Sequence, residues 1–241
     1  MSAKRLAELI RAAQPCVVLT GAGVSTESGI PDIRSDDGIW AQYDPYEVAS
    51  IEAFQRDPER VWEFYARRLD VLGGAAPNPA HVALAELESR GHVQAVITQN
   101  VDGLHAAAGS RDVIEVHGSI ASAVCLACGR REEHVRELLP VPRCADCGVV
   151  LKPGVVMFGE LLPVEAIDRP TALAQNAELL LVVGTSLEVW PVAGLPEETL
   201  LHGGKLAIVN RDPTLYDARA ELVSHDSAGA VLAACVASLS S

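Results

Sequence analysis

The sequence predicts an α/β fold in which a parallel sheet carries two insertions, one helical and one metal-binding. Three observations predict it. Short apolar runs recur at 16–20, 93–98, 179–183 and 206–209, each the length of a strand buried on both faces. Helical patterns lie between them, notably at 79–90 and 163–176, and strands alternating with helices imply βαβ units. Two stretches, 35–76 and 119–150, interrupt the alternation.

Taken in order, residues 3–13 form an amphipathic pattern with Leu6, Ile10 and Ala13 on one side. The run Cys16-Val17-Val18-Leu19-Thr20 follows and is broken by Gly21-Ala22-Gly23. The first insertion opens as a polar loop and continues as a helix. Asp57 can cap that helix, Pro58 suits its first turn, and Val61, Trp62, Tyr65, Leu69 and Leu72 make its apolar stripe. No low-complexity linker separates these parts. The expected organisation is therefore one parallel-sheet domain of residues 1–34, 77–118 and 151–241, with insertions at 35–76 and 119–150.

The chain has 241 residues, 49% hydrophobic and 21% charged, which is ordinary globular usage. Its formal net charge of −13 disfavours direct binding to a nucleic-acid backbone. No run of ~18 apolar residues occurs, so no membrane span is expected. The N-terminus carries Lys4, Arg5, Glu8 and Arg11 and lacks the apolar core of a signal peptide, so the expected location is cytoplasmic. Nothing in the sequence fixes an oligomeric state, and a monomer is compatible with it.

Four of the six cysteines form two CxxC pairs, Cys125/Cys128 and Cys144/Cys147. In a reducing compartment this spacing supplies four thiolates to one tetrahedral zinc ion. Four protein ligands leave no open coordination position, so the zinc is expected to be structural. Gly129 and Gly148 follow the knuckles as tight turns demand. Cys16 and Cys235 lie in apolar stretches and read as core thiols.

Gly21-Ala22-Gly23-Val24-Ser25-Thr26 after a strand has the character of a dinucleotide-binding turn, although Thr26 stands at the third glycine position. The longer segment continues Glu27-Ser28-Gly29-Ile30-Pro31-Asp32-Ile33-Arg34-Ser35, and as a whole it closely resembles the cofactor-loop signature of the sirtuins, the NAD-dependent protein deacylases. Further blocks resembling the family follow in order. They are Thr98-Gln99-Asn100-Val101-Asp102-Gly103-Leu104-His105, Val116-His117-Gly118, the four cysteines, Lys152-Pro153-Gly154-Val155-Val156-Met157-Phe158-Gly159-Glu160, Gly184-Thr185-Ser186 and Val209-Asn210-Arg211-Asp212.

The resemblance implies a Rossmann-like NAD-binding domain and consumption of NAD as a co-substrate. The acyl-lysine oxygen attacks C1′ of the nicotinamide ribose, nicotinamide leaves, and free lysine and O-acyl-ADP-ribose result. It implies His117 as the catalytic base, and an imidazole titrating near neutrality suits proton removal from a ribose hydroxyl. It implies that Asn100 orients the ribose and a water, that Asp102 accepts from the nicotinamide carboxamide, and that Gln99 lines the ribose pocket. Gly21, Ala22, Gly23 and Ser25 would meet the cofactor at the pyrophosphate turn, and Asp32, Ile33 and Arg34 on the loop that follows. Gly184, Thr185, Ser186, Asn210, Arg211, Asp212 and Ala228 would line the phosphate and adenosine side. Val156 and Phe158 match a segment that clamps the substrate peptide as an added strand. The chain departs from the family pattern at Ile33, where Phe is usual, at Asp226, where Gly is common, and at Ala230, where an acid is common.

Tyr65 and Arg68 are three residues apart and share one helical face. The pair resembles the Tyr-x-x-Arg signature of class III sirtuins, the desuccinylase and demalonylase type. A guanidinium can bind a distal carboxylate bidentately while a phenol donates to it. The expected function is thus removal of succinyl, malonyl, glutaryl and acetyl groups from acyl-lysine protein substrates. Mono-ADP-ribosyl transfer, plain deacetylation and a non-enzymatic NAD sensor are the alternatives.

Overall fold

The computed structural model of the protein describes residues 2–32, 38–133 and 140–239. Its strands are β1 (Cys16–Thr20), β2 (Ala95–Thr98), β3 (Val113–Glu115), β4 (Gly118–Val124), β5 (Arg131–Glu132), β6 (Lys152–Val155), β7 (Leu179–Val183), β8 (Lys205–Val209) and β9 (Leu222–Ser224). Its helices are α1 (Ser2–Ala12), α2 (Ile39–Gln42), α3 (Pro45–Val48), α4 (Ile51–Arg56), α5 (Pro58–Gly73), α6 (Pro79–Ser89), α7 (Leu104–Ala107), α8 (Val164–Asn176), α9 (Leu195–Leu201) and α10 (Ala228–Leu239). The chain divides into two units, one of Met1–Gly29, Ala76–Val116 and Pro163–Ser241, the other of Ile30–Ala75 and His117–Leu162.

The first unit is built on a six-stranded sheet of order β3-β2-β1-β7-β8-β9. Every pairing in it is parallel. The chain builds outward from β1 to β3, returns to lay β7 beside β1, and then builds the other way. Val18 marks the reversal, pairing with Val96 on one side and Leu181 on the other. In such doubly wound sheets the crevice outside the carboxyl ends of the two strands at the reversal is where ligands bind.

The apolar runs foreseen in the sequence are these strands, and β1, β2 and β7 are buried along their whole length. Alternate residues point to opposite faces. One face, carrying Cys16, Val18, Val96, Leu179, Leu181 and Val183, packs with Leu6 and Ile10 of α1, Leu84 and Leu87 of α6, and Leu232 and Val236 of α10. Each fully buried aliphatic side chain contributes roughly 1.5–3 kcal/mol of transfer free energy. Cys16 and Cys235 belong to this core, where burial pushes their thiols up to about 12 and about 11. Two edge strands, β3 and β9, were not anticipated; three residues each is too short a period to read.

In the second unit the Asp57 carboxylate caps α5 by accepting from Arg60 N at 3.1 Å, as its sequence predicts. Val61, Trp62 and Tyr65 are buried, while Leu69 and Leu72 are half-buried and Phe64 joins the buried face in their place. Trp62 is fully buried, and its indole N–H donates to Leu151 O at 2.8 Å, tying α5 to the chain beyond the second cysteine pair. An antiparallel sheet of order β5-β4-β6 completes the unit. No helix among the described residues is long and apolar enough to cross a membrane.

Candidate functional site

Two loops meet at the carboxyl ends of β1 and β7. Gly21 N donates to Val183 O at 3.2 Å, and Gly23 N donates to Gly184 O at 2.9 Å. Gly184 has φ +62°, and a Cβ there would lie 2.3 Å from Val24 N, so the approach admits no side chain. A helical turn, Ala22–Ser28, starts at this contact and contains Gly23.

The loop after β2 brings its polar residues onto that turn. Asn100 Nδ2 donates to Gly21 O and to Ser25 Oγ, each at 3.1 Å. Ser25 Oγ donates in turn to Asp102 Oδ2 at 2.7 Å, and Asp102 Oδ1 accepts from Leu104 N at 3.0 Å. Gln99 Nε2 reaches Thr185 Oγ1 at 2.9 Å. Gly21, Ser25, Gln99, Asn100, Asp102 and Thr185 therefore form one connected polar cluster, with Gly23 and Gly184 holding its loops together.

Behind the cluster lies a layer of residues to which sequence reasoning gave no role. Asn78 N donates to His81 Nδ1 at 3.3 Å, which leaves Nε2–H to face Ser25 Oγ at 3.4 Å. The His81 and His105 rings meet edge to face with centroids 4.8 Å apart. His105 Nε2 lies 2.9 Å from Thr20 Oγ1, which donates to Thr98 Oγ1 at 2.8 Å. Burial pushes both imidazoles down, with Asp102 and Glu27 partly opposing this at His81. His105 falls to about 3, through burial first and His81 second. Both rings are thus neutral at physiological pH. Nothing marks such residues in a sequence, because their role depends on burial and not on spacing.

The remaining expected cofactor residues of this unit stand at the exits of β7, β8 and β9. Ser186 Oγ donates to Glu188 Oε2 at 3.2 Å, and Asn210 Nδ2 donates to Asp212 O at 2.8 Å. Arg211 and Asp212 are exposed. Ala228 opens α10, and Glu27 Oε1 fixes that loop by accepting from Ser227 Oγ at 2.8 Å and Gly229 N at 3.1 Å. Ala22 begins the helical turn after β1. Ile33 and Arg34 lie outside the described residues.

In the second unit His117 is half-buried, and its carbonyl accepts from Val156 N at 2.9 Å. The next residues pair with the α3–α4 junction, Phe158 N donating to Ala49 O and Ile51 N to Phe158 O, both at 2.9 Å. Phe158 remains partly exposed, with its ring 5.6 Å from that of Tyr46. Asp32 O accepts from Ile39 N at 3.0 Å.

Tyr65 is 6% exposed, and burial pushes its phenol up; Arg68 pulls it back and Glu160 pushes it further. Both charges therefore act on that hydroxyl. Arg68 is half-buried, its guanidinium 5.9 Å from the Phe64 ring centre. Arg67 is exposed and turned toward Tyr43 Oη at 3.5 Å.

The four knuckle sulfurs all lie within 4.8 Å of one another. Cys125 Sγ is 3.4 Å from Cys147 Sγ, and Cys128 Sγ is 3.6 Å from Cys144 Sγ. Sulfurs placed about 2.3 Å from a tetrahedral zinc would stand at comparable separations. The two knuckles are closed alike: Gly129 N donates to Cys125 O at 2.9 Å, and Gly148 N to Cys144 O at 2.8 Å. Both glycines are left-handed, at φ +76° and +71°. The backbone N–H of Cys128 lowers the Cys125 thiol to about 7, while bonds to the neighbouring sulfurs push the Cys128 and Cys147 thiols up, as expected where four sulfurs crowd together. The cluster can hold one zinc ion.

The model of the Sir2 family matches residues 21–191. The chain belongs to the Sir2 family. A Caldivirga maquilingensis protein described as an NAD-dependent protein deacetylase is 44% identical over 235 residues, covering 95% of this chain and 90% of that protein. A Pyrococcus furiosus NAD-dependent protein deacylase is also 44% identical, over 94% of each chain. Among solved structures, a Sir2 homologue–NAD complex is 42% identical with a TM-score of 0.92, covering 98% of this chain and 93% of that one. A Sir2–p53 peptide–NAD+ complex is 39% identical with a TM-score of 0.87, covering 96% of each.

The neutral histidine layer predicts an acid-side loss of stability. The unfolded chain protonates His105 near its ordinary 6.5, whereas the folded chain refuses the proton down to about 3. The stability from this group is complete above the unfolded value and falls as pH drops from 6.5 toward 3. The slope approaches about 1.4 kcal/mol per pH unit. Urea unfolding of wild type and His105→Asn at several pH values checks this. The variant should show the shallower decline, and equal slopes would contradict a neutral buried His105.

Proposed function

We propose that the chain is an NAD-dependent protein-lysine deacylase that removes succinyl, malonyl, glutaryl and acetyl groups. The observation that carries the deacylase reading is the Asn100–Ser25–Asp102 chain of hydrogen bonds at the sheet reversal. It supplies a carboxylate and an amide, fixed before any ligand arrives, to the nicotinamide end of NAD. Its partners in the fold are the Gly21–Gly23 turn for the pyrophosphate and the β7, β8 and β9 exits for the adenosine.

In this reading the acyl carbonyl oxygen attacks C1′ of the nicotinamide ribose, the C1′–N bond breaks and nicotinamide leaves. His117 takes the proton of a ribose hydroxyl, which attacks the imidate carbon. Water then releases the lysine amine and leaves O-acyl-ADP-ribose. Val156 and Phe158 receive the peptide as an added strand. Ile33 and Arg34 are assigned to the cofactor loop, and the location is cytoplasmic. Zinc held by Cys125, Cys128, Cys144 and Cys147 supplies folding energy and no chemistry.

Support for the acidic acyl preference comes from the i, i+3 spacing of Tyr65 and Arg68 on α5, with the guanidinium near enough to pull the Tyr65 phenol down. Such a pair would be left with unmatched donors by an acetyl group. One observation favours the plainer reading of a deacetylase: the phenol lies on the buried face of α5, where it also serves as core.

Two measurements test these assignments. Metal analysis should find one zinc per chain, and Cys144→Ala should lose it together with at least ~5 °C of melting temperature; a metal-free wild type of full stability would exclude the zinc. Steady-state kinetics should give a higher kcat/KM on a succinyl-lysine peptide than on its acetyl counterpart. Arg68→Met should cut the succinyl value by about 10–100-fold, the range for a lost hydrogen bond to a charged group, and spare the acetyl value. An acetyl preference untouched by Arg68→Met would make this a plain deacetylase.

A further inference from the structure

Lys152 is a charged side chain that is only 4% exposed. It opens β6, one strand residue of which, Val155, precedes the peptide-facing segment. Its ammonium donates to Pro153 O at 3.1 Å, Val155 O at 2.6 Å and Glu160 Oε2 at 2.9 Å. All three N–H bonds are spent within its own neighbourhood. The same Glu160 oxygen accepts from Met157 N at 2.8 Å, and Glu160 N donates to Met157 O at 3.0 Å. One buried cation thus joins the end of β6 to the far side of the turn that follows it.

The arrangement is costly for stability alone. An ammonium loses several kcal/mol on leaving water, and an apolar side chain of like size often packs there at no loss. What the ion pair provides is a fixed backbone. After Val155 the regular pairing of β6 ends, and residues 156–160 depend on single contacts, at His117, at the α3–α4 junction and at Glu160. An added peptide strand binds through main-chain groups, so its affinity depends on that backbone being held in register before the peptide arrives. Pairing also neutralises Glu160, whose charge reaches the Tyr65 hydroxyl.

We propose that Lys152 is a positioning residue for the acyl-lysine peptide, holding residues 155–160 through Glu160 and two backbone carbonyls in the conformation that presents Val156 and Phe158. The proposal rests on the deacylase reading above. Lysine is used because a compact ammonium can serve three acceptors converging from different directions.

The test is steady-state kinetics of Lys152→Met and Lys152→Arg on one acyl-lysine peptide, varying peptide and NAD separately, with melting temperatures alongside. The double variant Lys152→Met/Glu160→Gln leaves no unpaired charge and is read in place of the single one if that fails to fold. The expected result is a peptide KM raised about ten-fold or more by removal of the cation, with the KM for NAD within about two-fold. Lys152→Arg, which keeps the charge on a larger planar group, should recover part of the peptide affinity and no more. An unchanged peptide KM overturns the proposal. So does an equal loss in both KM values that follows melting temperature and is not rescued by Arg, because that is the signature of a merely structural lysine. Absence of turnover by the wild-type chain overturns the deacylase reading itself, and this proposal with it.

Discussion

Gly23 and Gly184 meet backbone to backbone where β1 and β7 end, close enough that neither loop could carry a side chain at the contact. The parallel sheet reverses its winding at this point, so the two loops leave adjacent strands side by side. Their closeness sets where the Ala22–Ser28 turn begins, and with it the place of Ser25. Asn100 and Asp102 then have a fixed hydroxyl to bind. The polar cluster is therefore a consequence of sheet topology plus the absence of two side chains. Its groups are paired with one another before any ligand is present, which keeps the cost of ordering them out of the binding step.

The cluster is backed by two neutral histidines, and the reason is electrostatic. A protonated ring beside Ser25 would compete for the Asp102 carboxylate and place an unpaired charge among Thr20, Thr98 and the core. Burial prevents this by keeping both rings uncharged. In the second unit a deeply buried cation, Lys152, has every N–H satisfied. Lys152 and Glu160 together hold backbone that lies beyond the end of the β6 ladder.

The sheet was legible because strands buried on both faces must be apolar throughout, as β1 and β7 are. The knuckles were legible because four thiolates around one ion require CxxC spacing, and α5 because Asp57-Pro58 and the spacing of Val61, Trp62 and Tyr65 state a helix start and a face. Three-residue β3 and β9 were not legible, since edge strands that short have no period. Nor was the β5-β4-β6 sheet, whose central strand mixes buried and half-buried positions without alternation. Among the site residues, Gln99, Asn100, Asp102 and His117 were readable only as parts of motif blocks. His105 and Lys152 stand at the ends of two of these blocks and His81 outside them, but nothing in the sequence gives any of the three a role; their roles arise from burial, which exists only once the chain has folded.

Mass spectrometry of the products decides whether an acyl group leaves lysine for ADP-ribose at the expense of NAD. Incubation of the chain with NAD and a succinyl- or acetyl-lysine peptide should give nicotinamide, unmodified lysine peptide and O-acyl-ADP-ribose in equal amounts. His117→Ala should still release nicotinamide in exchange with added label but form no O-acyl-ADP-ribose. ADP-ribose attached to the peptide, with the acyl group still on lysine, would contradict the account and make the chain a mono-ADP-ribosyltransferase.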